Sequence, residues 1–364
     1  MEGIDMTKNI SRRKALKTGA LTAGLPLGFS CAQPKQPEPA GRVQEQPFAE
    51  LTWWPPGPDK DLVRDLTPGT TPVRLACMSP ATMLNYPERS SITEMVKGIR
   101  DAGYTSANVH YGIGTRNRWL DAAEPEVGEL KGALSAHDVD LFDSMVWTNL
   151  IHPDEATRQT NLKYVAENIE AADRIGCRMV TMVTGSCDPD YYIGMNPGNW
   201  TRETWNLTLD SIRQLLRDTA GCSTVLGMEA VITTNLDGPS AHRRLMDDIG
   251  DPRCKVCLDP TNMLSFERYY HSTELLNECF DLLGEEIVGC HAKDMFIRRD
   301  VMLAHIIEVP AGEGVQDYET YLVRMSRMKW PRTLLLEHLP AEKYPPVREF
   351  IEKTAARVGV TIYS

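Results

Sequence analysis

Residues 225–229 have the sequence Val-Leu-Gly-Met-Glu, a short apolar run that ends in the carboxylate of Glu229. The same arrangement recurs three times: residues 256–258 precede Asp259, residues 287–290 precede His291, and residues 334–336 precede Glu337. Short continuous apolar runs are typical of strands that are buried on both faces. Because an unpaired buried charge is costly, a charged side chain at the end of such a run needs a partner. The four endings therefore predict one divalent-metal site assembled from four parallel strands.

The rest of the chain alternates in the same way. Apolar runs predict eight strands, at residues 73–77, 106–110, 141–147, 179–183, 223–228, 255–258, 287–290 and 333–336. Helical patterns lie between and after them, near residues 92–102, 129–136, 154–175, 202–220, 240–248, 273–283, 318–327 and 346–357. Eight βα units over residues 72–364 predict an α/β fold, a (β/α)8 TIM barrel. The alternative is an open doubly wound sheet, although no G-x-G-x-x-G follows the first strand.

Catalytic groups of such barrels lie at the carboxyl ends of the strands, where these four side chains fall. Alternation along each strand places Gly227, Cys257, Gly289 and Leu335 on the same inward face as the predicted ligands. Three carboxylates and one imidazole form an oxygen-rich set, which favours Mn²⁺ and also suits Mg²⁺ or Co²⁺, with Zn²⁺ left open. The alternative is a set of separate structural ion pairs.

The composition is that of a globular protein, with 42% hydrophobic and 24% charged residues among 364. The formal net charge of −11 argues against a nucleic-acid partner. Residues 1–31 predict a twin-arginine-type signal segment around Arg12 and Arg13, and Cys31 is a candidate for lipidation. Residues 32–71 are rich in proline and predict a linker. We expect an exported protein, periplasmic or lipid-anchored to the cell envelope.

The motifs in the second half resemble the xylose-isomerase-like TIM-barrel superfamily, in particular its sugar epimerase and inosose dehydratase branch. The matching segments are residues 228–229, 258–262, 291–294, 309–318 and 336–338. The resemblance implies one divalent cation held by Glu229, Asp259, His291 and Glu337, with Glu229 and Glu337 also transferring protons. It implies a sugar isomerase or epimerase that removes a proton next to a carbonyl and forms an enediolate.

The sequence departs from the ketose 3-epimerases at three places, where Asn262, Asn235 and Ile297 replace a histidine, a glutamate and an arginine. A 3-keto-glycoside lyase or hydratase that uses the same site is therefore an alternative, and an exported, non-catalytic sugar-binding protein is another. Export favours a non-phosphorylated sugar, because sugar phosphates are scarce outside the cytoplasm.

Five further residues are candidates for substrate binding because of their positions after strands or in glycine-rich loops: His110, Trp147, Asn262, Lys293 and Glu313. Each has a structural alternative, such as a core histidine or an ion pair in the barrel wall. His338 follows Glu337, so alternation predicts that it points outward and has a structural role.

Overall fold

The computed structural model describes residues 64–78, 91–109 and 117–363. Ten strands lie in these segments: β1 (Arg74–Cys77), β2 (Ser106–Asn108), β3 (Asp140–Met145), β4 (Met179–Met182), β5 (Val225–Glu229), β6 (Cys254–Leu258), β7 (Ile287–Ala292), β8 (Asp294–Ile297), β9 (Ile306–Val309) and β10 (Thr333–Leu336). Eight α-helices accompany them: α1 (Ile92–Asp101), α2 (Glu124–His137), α3 (Glu155–Ile175), α4 (Arg202–Asp218), α5 (Pro239–Ile249), α6 (Ser272–Leu283), α7 (Tyr318–Ser326) and α8 (Tyr344–Arg357).

Eight of the strands form one parallel sheet in the order β1-β10-β7-β6-β5-β4-β3-β2. The two ends of this sheet approach each other, since the backbone N–H of Thr105, just before β2, donates to the carbonyl of Leu75 in β1 at 3.1 Å. The result is a nearly closed barrel with helices between its strands, which confirms the predicted (β/α)8 fold.

Local sequence signals explain several helix boundaries. Ser91 caps α1 in a capping box with Glu94, and α3 ends at Gly176, whose φ of 82° is left-handed. Helix α2 begins at Glu124, five residues before the predicted start at residue 129. Pro125 lies in its first turn, where proline is compatible with a helix.

Strands β8 and β9 were not predicted. They form an antiparallel hairpin outside the barrel, with Asp294 paired with Val309 and Ile297 with Ile306. The hairpin starts two residues after β7 ends, so it stands at the end of the barrel where the predicted metal ligands lie.

Two glycines allow the barrel interior to fill below the predicted metal ligands. A Cβ atom at Gly227 would lie 2.3 Å from the sulfur of Met179. A Cβ atom at Gly289 would lie 2.6 Å from the ring of Phe142. Met179 and Phe142 are buried and occupy the space that these glycines leave, as the predicted inward facing of both glycines requires.

Part of the predicted organisation lies outside the described residues, namely the signal segment, Cys31, most of the linker and His110. The described end of the linker contacts the barrel, because Arg64 forms ion pairs with Asp317 at 3.0 Å and with Glu319 at 2.9 Å. Within the described segments, no helix is both long and apolar enough to cross a membrane.

Candidate metal centre

The fold brings the four predicted ligands together at the carboxyl ends of neighbouring strands. Glu229 is the last residue of β5, and Asp259 directly follows β6. His291 is the fifth residue of β7, and Glu337 directly follows β10. All four side chains are buried, with at most 2% of any residue exposed.

Three carboxylates converge on one nitrogen of His291. The Nδ1 atom lies 2.9 Å from Oε1 of Glu337, 3.2 Å from Oε2 of Glu229 and 3.9 Å from Oδ2 of Asp259. The contacting atoms Nδ1, Glu337 Oε1 and Glu229 Oε2 are buried without a hydrogen-bond partner. A buried polar atom normally has a partner, so three orphaned atoms that face one another fit a cation between them.

The net charge of the groups around Nδ1 of His291 also fits a bound cation. The Nζ atom of Lys293 lies 2.7 Å from Oδ2 of Asp259 and 3.1 Å from Oε2 of Glu337. Three carboxylates, one ammonium and a neutral imidazole leave a net charge of −2, which one divalent cation would neutralise. Glu229, Asp259, His291 and Glu337 could therefore hold such a cation, and Lys293 would fix two of the carboxylates.

Asn262 also belongs to this cluster. Its side-chain nitrogen donates to Oε1 of Glu229 at 2.5 Å, which leaves Oε2 directed at His291. The backbone N–H groups of Thr261 and Asn262 donate to Oδ1 of Asp259 at 3.0 and 3.3 Å. These hydrogen bonds orient the carboxylates of Glu229 and Asp259. Asn262 therefore contacts the centre by its hydrogen bond to Glu229.

The other nitrogen of His291 faces Cys257, which was expected on the inward face, and Asp143, which was not predicted to lie at the centre. Nε2 lies 3.1 Å from the sulfur of Cys257 and 3.9 Å from Oδ2 of Asp143, which has no hydrogen-bond partner. Burial raises the pKa of Cys257 to about 12, so its thiol stays protonated in the absence of a cation. Asp143 lies inside the buried strand β3. A carboxylate in the middle of such a strand needs a partner, and this is the sequence signal that could have identified it.

The charges of the cluster shift its pKa values strongly. Burial lowers the pKa of His291, but the acidic groups around it, Cys257 and Glu337 foremost, raise it well above the ordinary value. Burial raises the pKa of Glu229. Burial has the same effect on Glu337, but the positive charges of His291 and Lys293 outweigh it and hold the pKa well below the usual range. A cation at this place would compete with the proton on His291.

Two other predicted residues lie apart from these contacts. Trp147 follows β3 at the same end of the barrel and is half-buried. Glu313 is not brought to the cluster: its side chain is 53% exposed and pairs with Lys343 at 3.0 Å on the surface.

His338, which was expected to point outward, is exposed. Strand β10 ends at Leu336, so alternation no longer applies, and His338 has a left-handed φ of 52°. Its Nδ1 lies 2.9 Å from Oε1 of Glu308 on β9, and the Oε2 atom of Glu308 lies 3.8 Å from Nζ of Lys293. His338 and Glu308 thus connect the hairpin to the edge of the cluster.

Known proteins share this fold. The sequence matches the family described as "Xylose isomerase-like TIM barrel" over residues 96–354. No curated protein matches the chain. A xylose isomerase-like TIM barrel protein from Mycobacterium smegmatis in complex with magnesium is 12% identical, with a TM-score of 0.56 over 79% of this chain and 98% of that one.

Two further solved structures are similar. The 3-keto-D-glucoside 4-epimerase from E. coli is 14% identical, with a TM-score of 0.54 over 77% of this chain and 99% of that one. The probable 3-DHS dehydratase involved in petrobactin synthesis from Bacillus anthracis is 12% identical, with a TM-score of 0.58 over 77% of this chain and 97% of that one. At such identities the likeness establishes a common fold.

Proposed function

Because the chain belongs to the xylose isomerase-like TIM-barrel family, we propose that it is a divalent-metal-dependent sugar isomerase or epimerase that transfers a proton next to a carbonyl. The observation that supports this most directly is the convergence of Glu229 and Glu337 on one nitrogen of His291, at 3.2 and 2.9 Å. These two acids come from β5 and β10, which are separated in the sheet by β6 and β7. They therefore approach the centre from different sides.

Two opposed carboxylates suit proton transfer at a carbon next to a carbonyl. One carboxylate accepts the proton, and a proton returned by the other on the opposite face inverts the centre, which is epimerisation. Return to the neighbouring carbon is isomerisation. A divalent cation, for which Mn²⁺ is the first choice and Mg²⁺, Co²⁺ and Zn²⁺ are alternatives, supplies positive charge that stabilises an enediolate when it is bound.

The substrate that fits the centre best is a non-phosphorylated sugar. Among the described residues, Lys293 is the cation in contact with the acidic cluster, and Asp259 and Glu337 already pair with it. A phosphate group placed at the cluster would add negative charge beside three buried carboxylates, whose cationic partner in the described part of the chain, Lys293, already pairs with two of them.

A lyase or hydratase acting on a 3-keto-glycoside is the second candidate. Asn262 favours it, because this residue replaces the histidine of the ketose 3-epimerases and donates to Glu229. The similar structures include both a 3-keto-D-glucoside 4-epimerase and a probable dehydratase. Elimination begins with the same proton removal, so the same two carboxylates serve either outcome.

Exchange of solvent deuterium tests the proposal. We expect the metal-loaded protein to introduce deuterium next to the carbonyl of a keto-sugar, followed by NMR, with loss of exchange after chelation and in Glu229→Gln and Glu337→Gln. Glu313→Gln is a matched control, because Glu313 pairs with Lys343 on the surface. The product distinguishes epimerase, isomerase and lyase. Binding without exchange would instead favour a non-catalytic sugar-binding protein.

We further propose that the protein is exported through its twin-arginine-type segment and is periplasmic or anchored through Cys31. The support is the basic Ser11-Arg12-Arg13 motif and the cysteine after a weakly apolar stretch. Cell fractionation should find wild type in the envelope and the variant with Arg12→Lys and Arg13→Lys in the cytoplasm. Cys31→Ser should release the protein from the membrane fraction if Cys31 is lipidated.

A further inference from the structure

Exposed apolar side chains are concentrated at one end of the barrel. Among the described residues, ten large hydrophobic side chains are exposed, and eight of them lie on the connections after β4, β6 and β7. The remaining two, Leu282 and Trp330, lie at the opposite end, where helices lead into strands. Single exposed apolar residues are ordinary, but a group around the entrance of a site indicates a ligand.

Two tyrosine pairs are the aromatic part of this group. Tyr191 and Tyr192, after β4, pack edge to face with their centroids 5.4 Å apart, and Tyr269 and Tyr270, after β6, do so at 4.8 Å. One ring of each pair is partly or fully buried, and the hydroxyl of Tyr269 accepts a hydrogen bond from the N–H of Ile297 at 3.0 Å. The outer rings stay in solvent: Tyr191 is 54% exposed and Tyr270 is 66% exposed.

The two pairs flank the strand that ends in Glu229. Strand β5 lies between β4 and β6 in the sheet, and hydrogen bonds join the three connections that follow these strands. The hydroxyl of Thr233, after β5, donates to the carbonyl of Ile193 at 2.7 Å. The N–H of Ile232 donates to the carbonyl of Asn262 at 3.0 Å. The tyrosines therefore stand on one continuous wall beside the metal centre.

Hydrogen bonds also join this wall to the charged cluster. Asn262, whose carbonyl accepts from Ile232, donates its side-chain N–H to Oε1 of Glu229 at 2.5 Å. The hairpin that begins directly after Lys293 contacts the second tyrosine pair through the N–H of Ile297 and the hydroxyl of Tyr269.

We propose that Tyr191 and Tyr270 bind the ring that is attached to the reacting sugar, so that the substrate is a keto-glycoside with a second sugar or another cyclic group. This inference rests on the proposed function. A tyrosine offers an apolar face and a polar tip, which suits the alternating C–H faces and hydroxyls of a sugar ring. Continuity with the metal centre favours a small ligand over a second copy of the chain or a protein partner.

Substrate preference tests the inference. The 3-keto derivatives of methyl glucoside and of cellobiose present the same reacting ring without and with a second ring, and deuterium exchange gives kcat/KM for each. We expect wild type to prefer the cellobiose derivative, with each tyrosine contributing about two- to tenfold. The ratio should fall toward one when Tyr191→Ala and Tyr270→Ala are combined. Trp330→Ala is the matched control, because Trp330 is 62% exposed at the opposite end.

Three results would overturn the inference: a wild-type ratio near one, a ratio that the double variant leaves unchanged, or an equal fall in Trp330→Ala. Sedimentation that shows a wild-type dimer broken by the double variant would also overturn it and identify a protein interface. If wild type exchanges a free ketose but neither glycoside, the inference fails and the proposed function stands; if it exchanges none of the three, the proposed function fails instead. Calorimetric titration with cellobiose then decides the inference: binding that Tyr191→Ala and Tyr270→Ala weaken supports it, and absent or unaffected binding refutes it.

Discussion

Glu337→Gln should greatly weaken metal binding while it preserves the shape of the side chain. The Oε1 atom of Glu337 lies 2.9 Å from Nδ1 of His291, and its Oε2 atom lies 3.1 Å from Nζ of Lys293. Glutamine removes one of three negative charges, so a divalent cation would leave a net charge of +1 in a buried site. The amide nitrogen must also face either the imidazole or the ammonium, and neither geometry reproduces both contacts.

The size of the effect follows from the burial of the group. Removal of one partner from a buried ion pair costs about 3–5 kcal/mol, because the remaining charge is left without compensation. In binding this corresponds to a dissociation constant for Mn²⁺ that is roughly 10² to 5 × 10³ times higher. Competition with a fluorescent chelator, at fixed pH and ionic strength, measures such a change directly.

Glu313→Gln provides the comparison. It makes the same chemical change in a glutamate that the sequence also placed near the substrate, but the structure pairs Glu313 with Lys343 on the surface. We expect its affinity for Mn²⁺ to stay within about twofold of wild type, because an exposed ion pair contributes little. If Glu337→Gln bound Mn²⁺ as tightly as wild type, or if both variants weakened binding equally, the assignment of the centre would be wrong.

Three other measurements test the structure independently. Gly289→Ala should lower the free energy of unfolding by about 1–3 kcal/mol in urea denaturation, because its Cβ would lie 2.6 Å from the Phe142 ring; a change below about 0.5 kcal/mol would contradict this packing. Burial lowers the pKa of His242 to about 4 from its ordinary 6.5, so the unfolded chain binds the extra proton, and the free energy of unfolding should fall by about 3 kcal/mol as the pH drops from 6.5 to 4. A His242→Gln variant should lack that part of the pH dependence. Mn²⁺ binding near pH 7 should release about one proton from His291, whose pKa is raised, and affinity should increase with pH; calorimetry in buffers of different ionisation enthalpy would show no release if the imidazole were already neutral.

The four predicted ligands were accessible from sequence because each stands at the end of a buried strand. The burial of such a strand fixes its register and the face on which each side chain lies. The packing that buries the apolar run therefore also orients the side chain at its end. That constraint brought Glu229, Asp259, His291 and Glu337 within a few ångströms of one another. Lys293 followed from the same reasoning, two residues beyond His291.

Residues outside regular strands escaped this reasoning. Glu313 lies in a loop and pairs with Lys343 on the surface, and His338 has a left-handed φ, so strand alternation describes neither side chain. The β8–β9 hairpin was missed because its strands are short and partly exposed, and its pairing register depends on contacts that a sequence pattern does not specify. Asp143 was missed for another reason: it lies within β3, whereas the pattern that predicts the centre is a charged residue at the end of a strand.

Charge balance connects the barrel to the class of substrate. Without a cation, three buried carboxylates and Lys293 carry a net charge of −2, and the raised pKa of His291 shows that the site then favours an additional proton. A divalent cation would restore neutrality with His291 uncharged. A neutral sugar preserves that balance, and transfer of its proton to Glu229 or Glu337 moves charge within the site without changing the total. On the proposed function, a phosphate group that reached these carboxylates would add negative charge to a buried space, which is the reason for proposing a non-phosphorylated sugar.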